Sequence, residues 1–399
     1  MAATSGARLR GKRFIMADNL LVVAGFYVVF PIIGLHFIDQ LGWAAAAVGL
    51  ALGLRQVSQQ GLGLLGGSLS DRFGAKPLIV GGMLLRAAGF GLLAYATSPA
   101  HLFISCILSG LGGSLFEPAR GALVVKLTRP AERSRFYALL MMVESAAAVL
   151  GALLGTALLG LDFYWVAMGG CAVFLLAALV NALALPAYRV AVPGTAALVA
   201  IRVPLADKPF LTLVLTLSGY YVMQVQLMLL LPVLVTHVTG TTQAVAWMYS
   251  MDALLAVLLL YPMARLGESY LSEEARLLLG IGVMTASLAA MALVSGAAGV
   301  FGVLALFYVG GLIAEPAREA IVARHAKLRA RASYIGLSRI GLALGGLLGY
   351  VAGGYLLDAG KSLGLPSLPW MVLCAVGCLT LAALAHQFLR AASWQRARA

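Results

Sequence analysis

The sequence predicts an all-α membrane protein, with twelve transmembrane helices in two pseudo-symmetric six-helix bundles. Three observations carry that reading. The chain is 62% hydrophobic and 11% charged, with a mean hydropathy of +0.96, whereas soluble domains hold about 25% charged residues; most of its surface therefore faces lipid. The tetrad Glu117-Pro118-Ala119-Arg120 returns 198 positions later as Glu315-Pro316-Ala317-Arg318. At the same offset, without a gap, Gly112, Gly113, Arg133, Gly151, Gly155 and Leu159 meet Gly310, Gly311, Arg331, Gly349, Gly353 and Leu357. Since 198 is close to half of 399 residues, a six-helix unit has been duplicated. The third observation is the placement of lysine and arginine, which alternates from loop to loop.

A span needs about 20 apolar residues. In order the candidates are residues 14–37, 44–68, 78–95, 102–125, 136–160, 166–185, 211–236, 244–264, 277–294, 300–322, 334–357 and 371–388. Arg8, Arg10, Lys12 and Arg13 precede the first. Further basic residues fall between spans two and three (Arg72, Lys76), four and five (Lys126 to Arg135), six and seven, eight and nine, and ten and eleven, and again after span twelve. The opposite loops hold only Lys361. Positive charge stays on the cytoplasmic side, so both termini are expected in the cytoplasm. The net charge of +13 is thus a topology signal, and no nucleic acid is expected as a partner. The first apolar run is longer than a signal-peptide core and reads as a retained span. The expected organisation is a bundle over 1–187, a cytoplasmic linker over 188–209 and a second bundle over 210–399.

No segment resembles a catalytic head, and no Walker-type loop exists to drive an ATP-dependent pump. The protein is read as no enzyme, with no catalytic residues and no cofactor. Cys106, Cys171, Cys374 and Cys378 all fall within spans, where cysteine packs as a small hydrophobe; neither a disulfide nor a metal is expected. Gly341, Gly345, Gly349 and Gly353 form a column of small residues on span eleven, and Ala147, Gly151 and Gly155 form one on span five. Such columns serve either tight static packing or a smooth face on which one half pivots against the other.

Charges at mid-membrane cost about 2.5 to 3.5 kcal/mol each on the insertion scale, so those that cannot snorkel mark function. At about 1.5 Å per residue, Glu144 lies roughly 13 Å into span five, with Arg55 as deep in span two and Asp252 somewhat less deep in span eight. Each either pairs, Glu144 with Arg55 for example, or faces an aqueous cavity as a carboxylate that takes up and releases a proton. Glu117 and Glu315 are further candidates for proton coupling. Their tetrads sit nearer the cytoplasmic end, where Arg120 and Arg318 can snorkel. A glutamate and an arginine three apart share a face and the proline frees a carbonyl, so each tetrad is either a kink with a local ion pair or part of a cytoplasmic gate. Arg55 with Gln59, and Tyr220, Tyr221 and Gln224 on span seven, read as the lining of a central cavity.

The loop Gly67-Ser68-Leu69-Ser70-Asp71-Arg72-Phe73-Gly74-Ala75-Lys76 resembles the signature loop of the major facilitator superfamily. The resemblance implies the major facilitator fold, two six-helix bundles working by alternating access. It further implies a cytoplasmic gate in which Asp71, followed by Arg72 and Gly74, meets the start of span eleven near Ser333, with Arg72 and Lys76 as tethers. Gly151-Ala152-Leu153-Leu154-Gly155-Thr156 is similar to the antiporter motif of the superfamily's drug exporters, with Ala152 replacing its proline and Thr156 its last glycine. In span four the exporters' membrane arginine would fall at Cys106 and their glutamine at Ser109, so proton coupling does not carry over to those positions. The stretches from Asp18 to Val23, Leu50 to Gln56, Phe116 to Lys126, Trp247 to Tyr249 and Ala314 to Glu319 resemble bacterial multidrug exporters of the drug:proton antiporter family. That likeness implies a monomeric, proton-coupled secondary transporter of the bacterial inner membrane that exports small amphipathic or cationic compounds. The composition alone equally allows a carrier for a specific metabolite.

Overall fold

The computed structural model describes residues 5–185, 203–325 and 331–396; most of the expected linker at 188–209 lies outside them. Among the described residues there are helices and no strands. In chain order the α-helices are α1 (Ser5–Gly34), α2 (Ala45–Gln56), α3 (Gly63–Phe73), α4 (Ala75–Leu93), α5 (Pro99–Leu127), α6 (Pro130–Leu159), α7 (Phe163–Ala184), α8 (Lys208–Gln224), α9 (Leu230–Thr239), α10 (Gln243–Tyr270), α11 (Glu273–Met291), α12 (Ala297–His325), α13 (Arg331–Ser362) and α14 (Leu368–Arg396). Ten stretches among the described residues are helical, long and apolar enough to cross a membrane, and Gln243–Leu259 is a shorter apolar helix. The all-helical membrane architecture is therefore as expected.

Local chemistry sets the ends. Pro99 and Pro130 stand at the first turns of α5 and α6, where a missing N–H costs nothing. Asp162 accepts from the Tyr164 amide at 2.7 Å, Asp207 from that of Phe210 at 3.3 Å and Ser272 from that of Ala275 at 3.2 Å, capping α7, α8 and α11. Each cap satisfies an amide that the helix itself leaves unpaired. Gly74 turns the chain from α3 to α4 at φ +90°, a backbone conformation that a β-carbon disfavours.

Three spans depart from the uninterrupted α-helices expected. Span one passes into a π-helical turn over Leu35–Gln40. Span two breaks into α2, a π-helical turn over Val57–Gly61 and α3. Span seven is divided by a 3-10 turn over Val225–Met228. By contrast, Pro118 and Pro316 lie inside continuous helices, α5 and α12.

The chain divides into two compact units. The first comprises Met1–Trp43, Leu54–Gly194 and Val245–Tyr249; the second comprises Ala44–Gly53, Thr195–Ala244 and Ser250–Ala399. In the first, α1 packs on α6 and α7, and α4 on α5 and α7. The second repeats the scheme: α8 packs on α13 and α14, and α11 on α12 and α14. The internal repeat is thus visible as one packing order used twice.

The glycine columns belong to this internal packing. A β-carbon on Gly341 would lie 2.8 Å from the Val214 carbonyl oxygen, and one on Gly349 2.5 Å from Val225. On Gly151 it would lie 2.5 Å from the carbonyl oxygen of Ala24. Each column therefore presses its helix onto the leading helix of its own unit, which is the static-packing alternative; no pivoting face is needed to explain it.

Candidate functional site

The π-helical turn of span two shapes the polar centre of the first unit, because Gln59 lies on it. Gln59 Nε2 donates to Glu117 Oε1 at 2.5 Å. Its Oε1 accepts from Arg55 Nη1 at 2.7 Å and from Arg86 Nη2 at 3.2 Å. Arg55 also donates to Gln56 Oε1 at 2.8 Å, and Arg86 Nε to the Ser109 carbonyl at 3.2 Å. Both arginines are buried, at 4% and 2% exposure. Aromatic faces take the place of a second anion: Arg55 lies 4.6 Å from the Phe30 ring centre and Arg86 4.9 Å from that of Phe116, a cation–π contact strengthened by burial.

A second group lies beside it. Asn19, fully buried on α1, donates from Nδ2 to Glu144 Oε1 at 3.1 Å and accepts on Oδ1 from Arg120 Nη1. The Arg120 guanidinium is 3.7 Å from the Glu144 carboxylate. Glu144 therefore does not pair with Arg55, and it is not unpaired: α5 brings it Arg120 and α1 brings it Asn19. For the same reason Arg120 points inward rather than snorkelling to a membrane edge. One residue earlier on α1, Asp18 accepts from Asn181 of α7 at 2.5 Å.

The second unit builds its charge cluster differently. Arg318 donates to Tyr221 Oη at 2.5 Å, to Glu319 at 2.8 Å and to Glu315. Tyr220 Oη donates to Glu315 Oε2 at 2.7 Å. Tyr220 is fully buried and Tyr221 nearly so, so these rings enclose Arg318 instead of lining an open cavity, and Arg318 also points inward. Gln226, two residues past the half-buried Gln224, donates to the carbonyls of Val222 and Gly349 at 2.8 and 2.9 Å, which is a packing role. Asp252 is half-buried on α10 with no ion-pair partner among the described residues.

Of the expected gate, Arg72 is exposed and lies over the ring of Phe73 at 5.4 Å, Gly74 makes the positive-φ turn and Lys76 is half-buried. The side chain of Asp71 lies outside the described residues, and with it the expected contact near Ser333. Three further contacts were not legible along the chain. Arg324 at the end of α12 is held by Glu273, at 3.1 Å, and Glu274. Tyr334 donates to Asp207 at 2.7 Å. Asp358 of α13 accepts the amides of Ala45 and Ala46 at 3.0 and 2.9 Å, capping α2 from 313 residues away. No signal in one sequence connects positions that far apart, though the α2 start, Trp43-Ala44-Ala45-Ala46, visibly lacks a cap of its own.

The chain matches the family model of the Major Facilitator Superfamily over residues 19–315. It is 54% identical over 390 residues to proteins named Multidrug resistance protein MdtH from Yersinia pestis (strain Pestoides F) and Yersinia pseudotuberculosis serotype O:3 (strain YPIII), covering 98% of this chain and 97% of each relative. Among solved structures it is similar in fold to a mutant of the nucleoside transporter NupG, with a TM-score of 0.83 at 12% identity over 95% of this chain and 100% of the other. The peptide transporter POT in complex with sulfate gives a TM-score of 0.75 at 17% identity over 95% of both chains. Two bundle-like units of one packing order, charges held at their centres and a relative at this identity across the full chain lead to one assignment: the chain belongs to the major facilitator superfamily, as a multi-pass membrane transporter.

Proposed function

We propose that the protein is a proton-coupled multidrug exporter, a drug:proton antiporter working by alternating access in a bacterial inner membrane. The observation that carries the substrate class is the full-length likeness to relatives named as multidrug resistance proteins. Proton coupling is supported by Glu144, whose side chain is 41% exposed while Asn19 and Arg120 hold its Oε1. A carboxylate turned to lipid at that depth would be costly, so this exposure is access to an aqueous path. When ionised, Glu144 holds Asn19 and Arg120 in place. A proton removes the charge that organises them, and a cationic drug and a proton then compete for the same neutralising role. The net cycle moves a drug out for a proton in. Asp252, Glu117 and Glu315 are the other carboxylates proposed to take part, and the gate is assigned to Asp71, Arg72, Gly74, Lys76, Arg120 and Arg318.

The lysine and arginine pattern supports cytoplasmic termini, and the repeat supports six-helix bundles over 1–187 and 210–399 joined through 188–209; the protein is proposed to act as a monomer. The protein reconstituted in liposomes is expected to accumulate a cationic dye only against an imposed pH gradient, and Glu144→Gln to reduce that accumulation to the protein-free level. Gradient-driven accumulation persisting in Glu144→Gln would remove this residue from the proton role. Competition by one metabolite and by no drug would identify a specific carrier instead.

A further inference from the structure

Two carboxylates of the first unit are held by the same device. Between Glu144 and Arg120 stands the amide of Asn19; between Glu117 and the pair Arg55 and Arg86 stands the amide of Gln59. In both, the amide oxygen faces the guanidinium and the amide nitrogen faces the carboxylate. Chemistry dictates this orientation. A guanidinium has only donors and an ionised carboxylate only acceptors, so an amide between them has one way to sit. Asn19 is fully buried.

The consequence concerns the proton. An amide N–H serves an ionised carboxylate but cannot receive the O–H of a protonated one. The amide oxygen, which could receive it, is already engaged by arginine. A proton that arrives takes the other carboxylate oxygen, Oε2, and leaves Oε1 a weaker acceptor for the amide and, at Glu144, for Arg120. Among the described residues of the second unit no amide clamps Glu315. Its partners are Arg318 directly and the hydroxyl of Tyr220, and a hydroxyl can turn to donate or accept.

We propose that Asn19 and Gln59 are positioning residues for proton coupling. They couple protonation of Glu144 and Glu117 to the placement of Arg120, Arg55 and Arg86, so the proton is sensed in the first unit. The proposal rests on the proton-coupled reading above. The charged groups facing Glu144 are Arg120 from α5 and, beside Asn19 on α1, Asp18, itself held by Asn181 of α7. Those facing Glu117 are Arg55 and Arg86 through Gln59, with Arg120 one turn along its own helix.

The test replaces each amide by its isosteric acid, Asn19→Asp and Gln59→Glu. Each change exchanges the donor facing the carboxylate for an acceptor and places two carboxyls together, where like charges raise the pH at which a proton is held. In liposomes the pH midpoint of gradient-driven dye transport is expected to rise by about one unit or more in each variant. A merely structural defect would lower the transport rate at every pH and leave the midpoint in place. A midpoint equal to that of the unmodified protein in both variants overturns the proposal. Should Asn19→Asp not fold, Gln59→Glu decides alone, and an unmoved midpoint there overturns it. If the unmodified protein itself transports with no dependence on a pH gradient, the proton-coupled reading fails first, which the parent measurement shows before either variant is made.

Discussion

Arg318→Ala is expected to lower the stability of the protein by about 2 to 3 kcal/mol. Arg318 is 6% exposed and donates to Glu315, Glu319 and Tyr221. Removing one partner of a fully buried pair costs about 3 to 5 kcal/mol because the other charge is stranded. Glu315 is 40% exposed and Glu319 65%, so solvent recovers part of that loss and the estimate falls at or below the lower end. The guanidinium also lies 5.2 Å from the Tyr221 ring centre, a cation–π contact that burial strengthens. Arg318→Lys keeps the charge but not the fork that reaches three acceptors, and should fall between the parent and alanine. Arg318→Met combined with Glu315→Leu removes both charges and is expected to regain most of the loss. The measurement is the melting temperature of the detergent-purified protein; an unchanged melt in Arg318→Ala would show that the cluster contributes nothing.

The fold was legible because its cause is written along the chain. Spans announce themselves by length and apolarity, loops by lysine and arginine, and the duplication by an ungapped repeat. Places where a helix breaks were not legible. The π-helical turn over Val57–Gly61 carries Ser58, Gln59 and Gln60, which the sequence shows only as polar residues in a span. It forms where Gln59 must reach Glu117 on α5, a tertiary demand that no local periodicity contains.

The candidate site was legible as a set of residue types and not as a set of pairs. Depth counting found Glu144, Glu117, Glu315, Arg55, Arg120 and Arg318, because a charge in a span stands out at any position. It did not name the anchors of Glu144, Asn19 and Arg120, because Asn19 is neutral and joins α6 through the packing of α1 against it. From depth alone it left Arg120 and Arg318 free to snorkel, whereas direction around the helix is decided by what faces it. Arg86 shows the same limit: it is simply another arginine in an apolar run, and only the fold sets it against Gln59 and the Ser109 carbonyl.

Gly354→Val is expected to destabilise the second unit by about 3 kcal/mol, at the upper end of the range for overpacking. A β-carbon there would overlap the carbonyl oxygen of Ala45 and approach its carbonyl carbon to 2.6 Å and Ala46 Cα to 3.0 Å. Across the seam Gly49 meets the Tyr350 carbonyl as tightly, and Gly53 would carry a β-carbon 2.8 Å from Leu347. The neighbours of Gly354 and Gly49 are backbone, so no rotamer change relieves the clash at Gly354; α2 must move off α13. That movement also draws the Ala45 and Ala46 amides away from Asp358, which holds them at 3.0 and 2.9 Å. Asp358→Ala alone should cost about 1 kcal/mol, as loss of an N-terminal cap does. Because both changes act on one seam, the double variant should lose less than the sum of the two. Gly302→Ala is the control, since nothing lies within 4 Å of a β-carbon at that position, and it should melt with the parent. Melting temperatures of the four variants check the series. A Gly354→Val protein as stable as Gly302→Ala would mean that α2 and α13 are not in backbone contact, and additive losses would mean that the Asp358 cap is independent of the glycine seam.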